Sequence, residues 1–319
     1  MCLCSAVVCL LLSCSGHLRT DEIDLTEKLS GDTESIFGLL TQTEPGFMNY
    51  TSLPDNSFEL GSYRVYGNSI YAEAVKTEPM SQGIACNELR VMRYDNTKWE
   101  TLYEYNGGKS YGRIYDICVY DDSLLWSYIE IGDKTSGAIY IYDLTKNELQ
   151  SIEHGYGEIQ MKISGAFLLI NEFKDNENLH IIGLESEERF VYSKSELNMP
   201  AGVIFPSLYG RNVTYATEDE DDSQYSYIVS RDIMTWNETR RIKTDAGATF
   251  VIDGAGYVAW ISENRARKAF LYDGGNIYSL YDGRNSSRLA LGEYGGYLTV
   301  SDGDTTFFID YNEKTFFSL

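Results

Sequence analysis

One short phrase recurs along most of this chain: a Gly- or Asp-led turn, then an apolar run that ends near a large side chain. It is found as Gly67-Asn68-Ser69-Ile70-Tyr71, Asp122-Ser123-Leu124-Leu125-Trp126, Gly165-Ala166-Phe167-Leu168-Leu169-Ile170, Gly210-Arg211-Asn212-Val213-Thr214-Tyr215-Ala216, Gly254-Ala255-Gly256-Tyr257-Val258-Ala259-Trp260 and Gly296-Tyr297-Leu298-Thr299-Val300. With Tyr71, Trp126, Ile170, Tyr215, Trp260 and Val300 as anchors, the copies lie 40 to 55 residues apart. Units of that length, rich in short strands, cannot bury both of their own faces; they lean on one another and close into a β-propeller. Six copies predict six blades, each phrase supplying a blade's second strand.

Each unit reads as four strands, a to d, with Gly, Asn and Asp at the turns. The second is the clearest: Ile114 to Tyr120, Leu124 to Ile129, Ala138 to Tyr142 and Glu148 to Ile152. The first is lengthened by insertions at 76–87 and 106–111. Ile139-Tyr140-Ile141-Tyr142-Asp143-Leu144-Thr145 alternates and then stops at a turn, and Arg93-Tyr94-Asp95-Asn96-Thr97-Lys98 and Ser230-Arg231-Asp232-Ile233-Met234-Thr235 repeat it. This phrase resembles the third-strand phrase of TolB-like bacterial propellers, over Phe58 to Leu319. The resemblance implies an all-β, six-bladed ring of four-stranded antiparallel blades and fixes no activity, because propellers host unrelated functions.

The first residues are of another kind. Ala6 to Leu12 form an apolar run too short to cross a bilayer as a helix, which fits a secretory signal. Leu11-Leu12-Ser13-Cys14 resembles the lipobox of bacterial lipoproteins, although no Lys or Arg precedes the run. The resemblance implies a signal over residues 1–13, lipidation of Cys14 and anchoring on the extracytoplasmic face of the membrane. A polar tether and docking segment is expected over 14–56, flexible to about Asp32, with Ile36 to Leu40 docking on the propeller that fills 57–319. Ring closure by a borrowed strand has no obvious gap to fill, unless Phe47 to Leu53 adds at an outer edge.

The formal charge of −22 disfavours nucleic acid and anionic lipid head groups as partners. It leaves proteins and glycans, met by a monomer. Catalytic signals are sparse. His17, His154 and His180 have no metal-ligand spacing, and no metal or other cofactor is expected. Gly108-Lys109-Ser110-Tyr111-Gly112 matches a serine-hydrolase pattern but lies in a link between blades, where no strand-to-helix elbow forms. The acidic run Glu218 to Asp222 reads as a solvated hairpin tip, with a calcium or cationic-partner contact as the alternative, and Ser301 to Thr305 as a tight turn. Cys86 and Cys118 read as unpaired, with a disulfide between them left open as the alternative. Tyr111, Tyr209 and Tyr294 lie near blade ends, where exposed rings could stack on a ligand. No catalytic residue is assigned. The chain reads as a binding or scaffold protein for a protein or glycan; the alternative is a carbohydrate-active hydrolase or lyase using carboxylates at the channel mouth.

Overall fold

The computed structural model describes residues 21–44, 53–79, 85–95, 97–106, 111–131, 135–173, 178–186, 188–195, 206–219, 221–263, 267–281, 289–294, 297–302 and 305–318. Six sheets follow one another along the chain. Their innermost strands are Glu59–Tyr66, Tyr111–Tyr120, Glu158–Ser164, Ser207–Tyr209, Ala248–Gly254 and Ala290–Tyr294, and each sheet is completed by the next three strands in antiparallel order. All six sequence anchors are buried on the second strands. The described residues of the insertion at 76–87 extend the hairpin, Ser69–Pro79 pairing with Ala85–Tyr94 out to Pro79 opposite Ala85.

The recurring phrase has a backbone cause. Between strands a and b the chain turns through the left-handed region, at Gly67 (φ 56°), Gly165 (55°) and Gly210 (56°), with Asp121 (51°) taking that place in the second blade. At the opposite hairpin, between c and d, an Asp side chain takes over. Asp95, Asp143, Asp232, Asp273 and Asp310 each accept backbone N–H groups two and three residues on. That is the physical content of the third-strand phrase, and it extends to blades 5 and 6.

These turns carry an acid sensitivity. The Thr97 hydroxyl, with the amides of Lys98 and Thr97, holds Asp95 at about 2, and Lys146 and Thr145 hold Asp143 well below the usual carboxylate range. A carboxylate whose folded pKa lies below its unfolded value of 3.8 contributes stability that is complete above that value and lost as pH falls through the folded pKa. Thermal melting should therefore decline between about pH 4 and pH 2, and Asp143→Asn should flatten that decline. A variant whose melting falls with acid as steeply as the parent would show that these turns do not set the slope.

The largest departure from expectation lies at 21–44. Glu22–Asp24 pairs in parallel with the outer strand of blade 4, Glu34–Ser35 with that of blade 5 and Thr41–Gln42 with that of blade 6. Between them, the short helix Thr26–Ser30 and the turn Ile36–Gly38 bury Leu25, Leu29, Ile36 and Leu40. The tether expected as far as Asp32 is thus, from residue 21 onward, a strap laid around the outside of three blades. Ile36 to Leu40 does dock, and the four apolar residues suffice because each drops into a core already built by the blades. Of Phe47 to Leu53, only Leu53 lies within the described residues.

Shared apolar clusters join blades 1 and 2 around Trp126, 2 and 3 around Met161, 3 and 4 around Tyr215, 4 and 5 around Trp260, and 5 and 6 around Leu298. Among the described residues no such cluster joins blade 6 to blade 1. Blade 1 packs Phe58, Ala74 and Met92, and separately Ile70 and Tyr94, within itself. Blade 6 stacks Phe308 on Phe317 with ring centroids 4.9 Å apart.

Candidate functional site

The antiparallel order sends the b–c hairpins and the links between blades to one face and the tight a–b and c–d turns to the other. On the loop-bearing face, where blade 6 meets blade 1, lies a cleft of about 540 Å³. Gly61, Ser62, Arg113 and Tyr115 line one wall, and Gly292, Thr299, Ser301, Thr306 and Phe308 the other. The sequence makes this opening directly. Where other blades present Leu, Ile and Trp along the whole contact, blade 6 presents Phe308 flanked by Ala290, Gly292, Thr299 and Ser301, small or polar residues that leave a gap.

Below the cleft is a buried electrostatic frame. Glu73, fully buried on blade 1, accepts hydrogen bonds from Arg113 Nε and Nη2 at 3.0 Å each and from the Ile114 amide at 3.0 Å, and the Ser62 amide reaches it at 3.2 Å. Asn87 and Gly112 exchange paired hydrogen bonds across the same blade contact. A carboxylate out of water is tolerated only when so fully satisfied. Arg113 therefore points its fork inward, and its flank lines the cleft.

Arg64 joins the cleft to a second pocket of about 330 Å³ at the turn-bearing mouth of the channel, lined also by Asp116, Cys118, Met161, Lys162 and Glu293. Arg64 and Asp116 form an ion pair at 2.8 Å, and Asp116 also accepts the Met161 amide at 3.2 Å, so that one carboxylate ties blades 1, 2 and 3 together. Burial raises the pKa of Glu293 against the opposing pull of Lys162 and Arg64. Cys118 carries a free thiol that burial, reinforced by Asp116, pushes up to about 12, which leaves it un-ionised and a poor nucleophile near neutral pH. The side chain of Cys86 lies outside the described residues.

None of the channel charges was singled out from sequence, although a signal existed: Glu73 interrupts the otherwise apolar run Ile70 to Val75, and a lone carboxylate in a fully buried strand demands partners. Cys14 and His17 lie outside the described residues, as do Gly108 to Ser110 and the side chains of His154 and Tyr294. Tyr111 receives a hydrogen bond from Arg113 at 3.2 Å, and Tyr209 is exposed. His180 meets Glu172 at 3.0 Å inside blade 3 and stacks edge-on with Tyr156, a packed pair away from both pockets. In the acidic run, Asp219 accepts the Asp221 amide, as a hairpin tip does. Among the described residues no three His, Cys, Asp or Glu gather as metal ligands.

No protein-family model and no curated protein matches the chain. Among solved structures it is similar to the β-propeller domain of the Trilobed protease from Pyrococcus furiosus, described as having an open velcro topology. The two share 14% identity and a TM-score of 0.54, with 80% of this chain and 84% of that one covered. It is also matched by an acylaminoacyl peptidase of Pyrococcus horikoshii at 10% identity and a TM-score of 0.47, covering 79% of this chain and 49% of that one. At such identity the likeness establishes the propeller fold alone.

Proposed function

We propose that this chain is a membrane-anchored, extracytoplasmic binding protein that holds a protein or glycan ligand in the cleft between blades 1 and 6. The observation that carries this reading is the cleft itself: among the described residues five blade contacts are filled by shared apolar clusters, while the sixth opens into a cleft that sets hydroxyls, small residues, Arg113 and exposed Tyr115 beside Leu60, Leu291 and Phe308. Pockets of this size with a few fixed polar groups are the usual place for ligands. The TolB-like and lipoprotein character rests on the Asp-turn phrase and on Leu11 to Cys14.

The carbohydrate-cleaving alternative needs two carboxylates free to act as acid and base. Of the described carboxylates lining the channel pocket, Asp116 has both oxygens engaged by Arg64 and the Met161 amide, which leaves Glu293. Binding is the better-supported reading.

The test is capture from detergent-solubilised membranes, set beside a glycan array, with the parent and with Thr306→Trp, which fills the cleft. The filled variant should keep its melting temperature and lose the captured partner or glycan signal; unchanged capture would move the site elsewhere. For the anchor, Cys14→Ala should shift the protein from the membrane fraction to the soluble one.

A further inference from the structure

The pocket at the turn-bearing mouth goes beyond that reading, because its chemistry is of another sort. Arg64 and Asp116 are closed upon each other: the guanidinium also donates to the Tyr63 carbonyl at 2.9 Å, and the carboxylate's second oxygen takes the Met161 amide. Lys162 and Glu293 are not. Neither side chain makes a hydrogen bond or ion pair with any described residue, although Lys162 and Arg64 both pull on Glu293 through space, and both line the same 330 Å³ space. They stand on blades 3 and 6, opposite one another in a ring of six, so the backbone holds an ammonium on one wall and a carboxylate on the other.

A ligand of a single charge meets one attractive wall and one repulsive wall. A ligand with both charges at the matching separation satisfies the two at once and leaves the pocket's balance unaltered, with charge-assisted hydrogen bonds at each end. The volume lies at the small end of the roughly 300–1,000 Å³ range of ligand sites, which suits a molecule between a free amino acid and a dipeptide. We propose that this pocket binds a small zwitterion, its carboxylate at Lys162 and its ammonium at Glu293. Burial favours the neutral form of Glu293, and a ligand ammonium beside it would favour the carboxylate.

Calorimetric titration of the full chain with ω-amino acids from glycine to 6-aminohexanoate and with alanyl-alanine tests this directly. Acetate, methylammonium, and the N-acetyl and methyl-ester forms of the best binder serve as comparisons. One length should bind best, and capping either end should weaken it by about tenfold or more. Lys162→Met and Glu293→Gln should each do the same, and the exchange K162E/E293K should restore binding. Should either variant fold poorly, Lys162→Arg and Glu293→Asp should shift the preferred length. Equal binding of capped forms, acetate binding as well as the zwitterions, or no saturable binding of any zwitterion up to about 10 mM would overturn the proposal. Thr306→Trp separates the two sites: it should abolish macromolecular capture and leave zwitterion binding unchanged.

Discussion

Alanine at both Leu25 and Ile36 will destabilise the chain by about 4 to 10 kcal/mol. Both side chains are essentially fully buried, at 1% and 0% exposure, and removing a buried Leu or Ile to Ala costs about 2–5 kcal/mol. They enter separate clusters, Leu25 beside Trp260 and Ile36 beside Leu271, so the two losses should add. Stability of a typical domain is only about 5–15 kcal/mol, so the double variant should approach the unfolding threshold at ambient temperature. Leu39, on the same strap but 51% exposed, is the control: Leu39→Ala should stay within about 0.5 kcal/mol. Urea unfolding followed by tryptophan fluorescence reads all three. If the double variant unfolds at the parent's midpoint, the strap is ornament rather than structure.

The second large effect lies beneath the cleft. Glu73→Ala leaves the Ile114 and Ser62 amides without their acceptor and removes the partner of Arg113. Breaking a buried ion pair from one side costs about 3–5 kcal/mol; because the Arg113 side chain is 35% exposed and keeps part of its hydration, about 3 kcal/mol is expected. Glu73→Gln, which retains an oxygen for one amide, should cost less. Gly61→Ala approaches the same group from the other side, since a Cβ there would collide with Glu73 Oε2 and force the carboxylate off its donors. Chemical unfolding of the three variants should rank Glu73→Ala as weaker than Glu73→Gln. The reverse order would mean that the charge costs more to bury than its bonds return.

What could be read in advance was whatever repeats. The second-strand phrase is legible because a left-handed turn and a row of buried residues must recur in every blade. The Asp of the third-strand phrase recurs because each c–d hairpin needs an acceptor for two amides, and the blade 5 and 6 versions escaped notice only because Tyr272-Asp273-Gly274 and Ile309-Asp310-Tyr311 lack the Thr that follows elsewhere. Strap strands of two or three residues carry no period at all; their partners lie in other blades, and nothing local to Glu34-Ser35 marks it as paired with Tyr278-Ser279. The cleft was illegible for a related reason. It arises from small side chains on one blade meeting a blade far away in sequence, and Gly292 or Thr299 looks ordinary until its neighbour is known. Lys162 and Glu293 lie far apart in sequence, and only the ring brings them to a common axis.

The strap also imposes an order on assembly. Glu22 to Asp24 emerge from the ribosome long before Arg241 to Lys243, and Thr41 and Gln42 before Thr315 and Phe316, yet these are the residues they pair with. A nascent chain must carry Leu25, Leu29 and Ile36 uncovered while blades 1 to 3 form, and contacts between such distant positions are the slow ones. Maturation therefore ends where synthesis began, and a chain that stalls before its fourth blade displays a greasy leading segment for quality control to find.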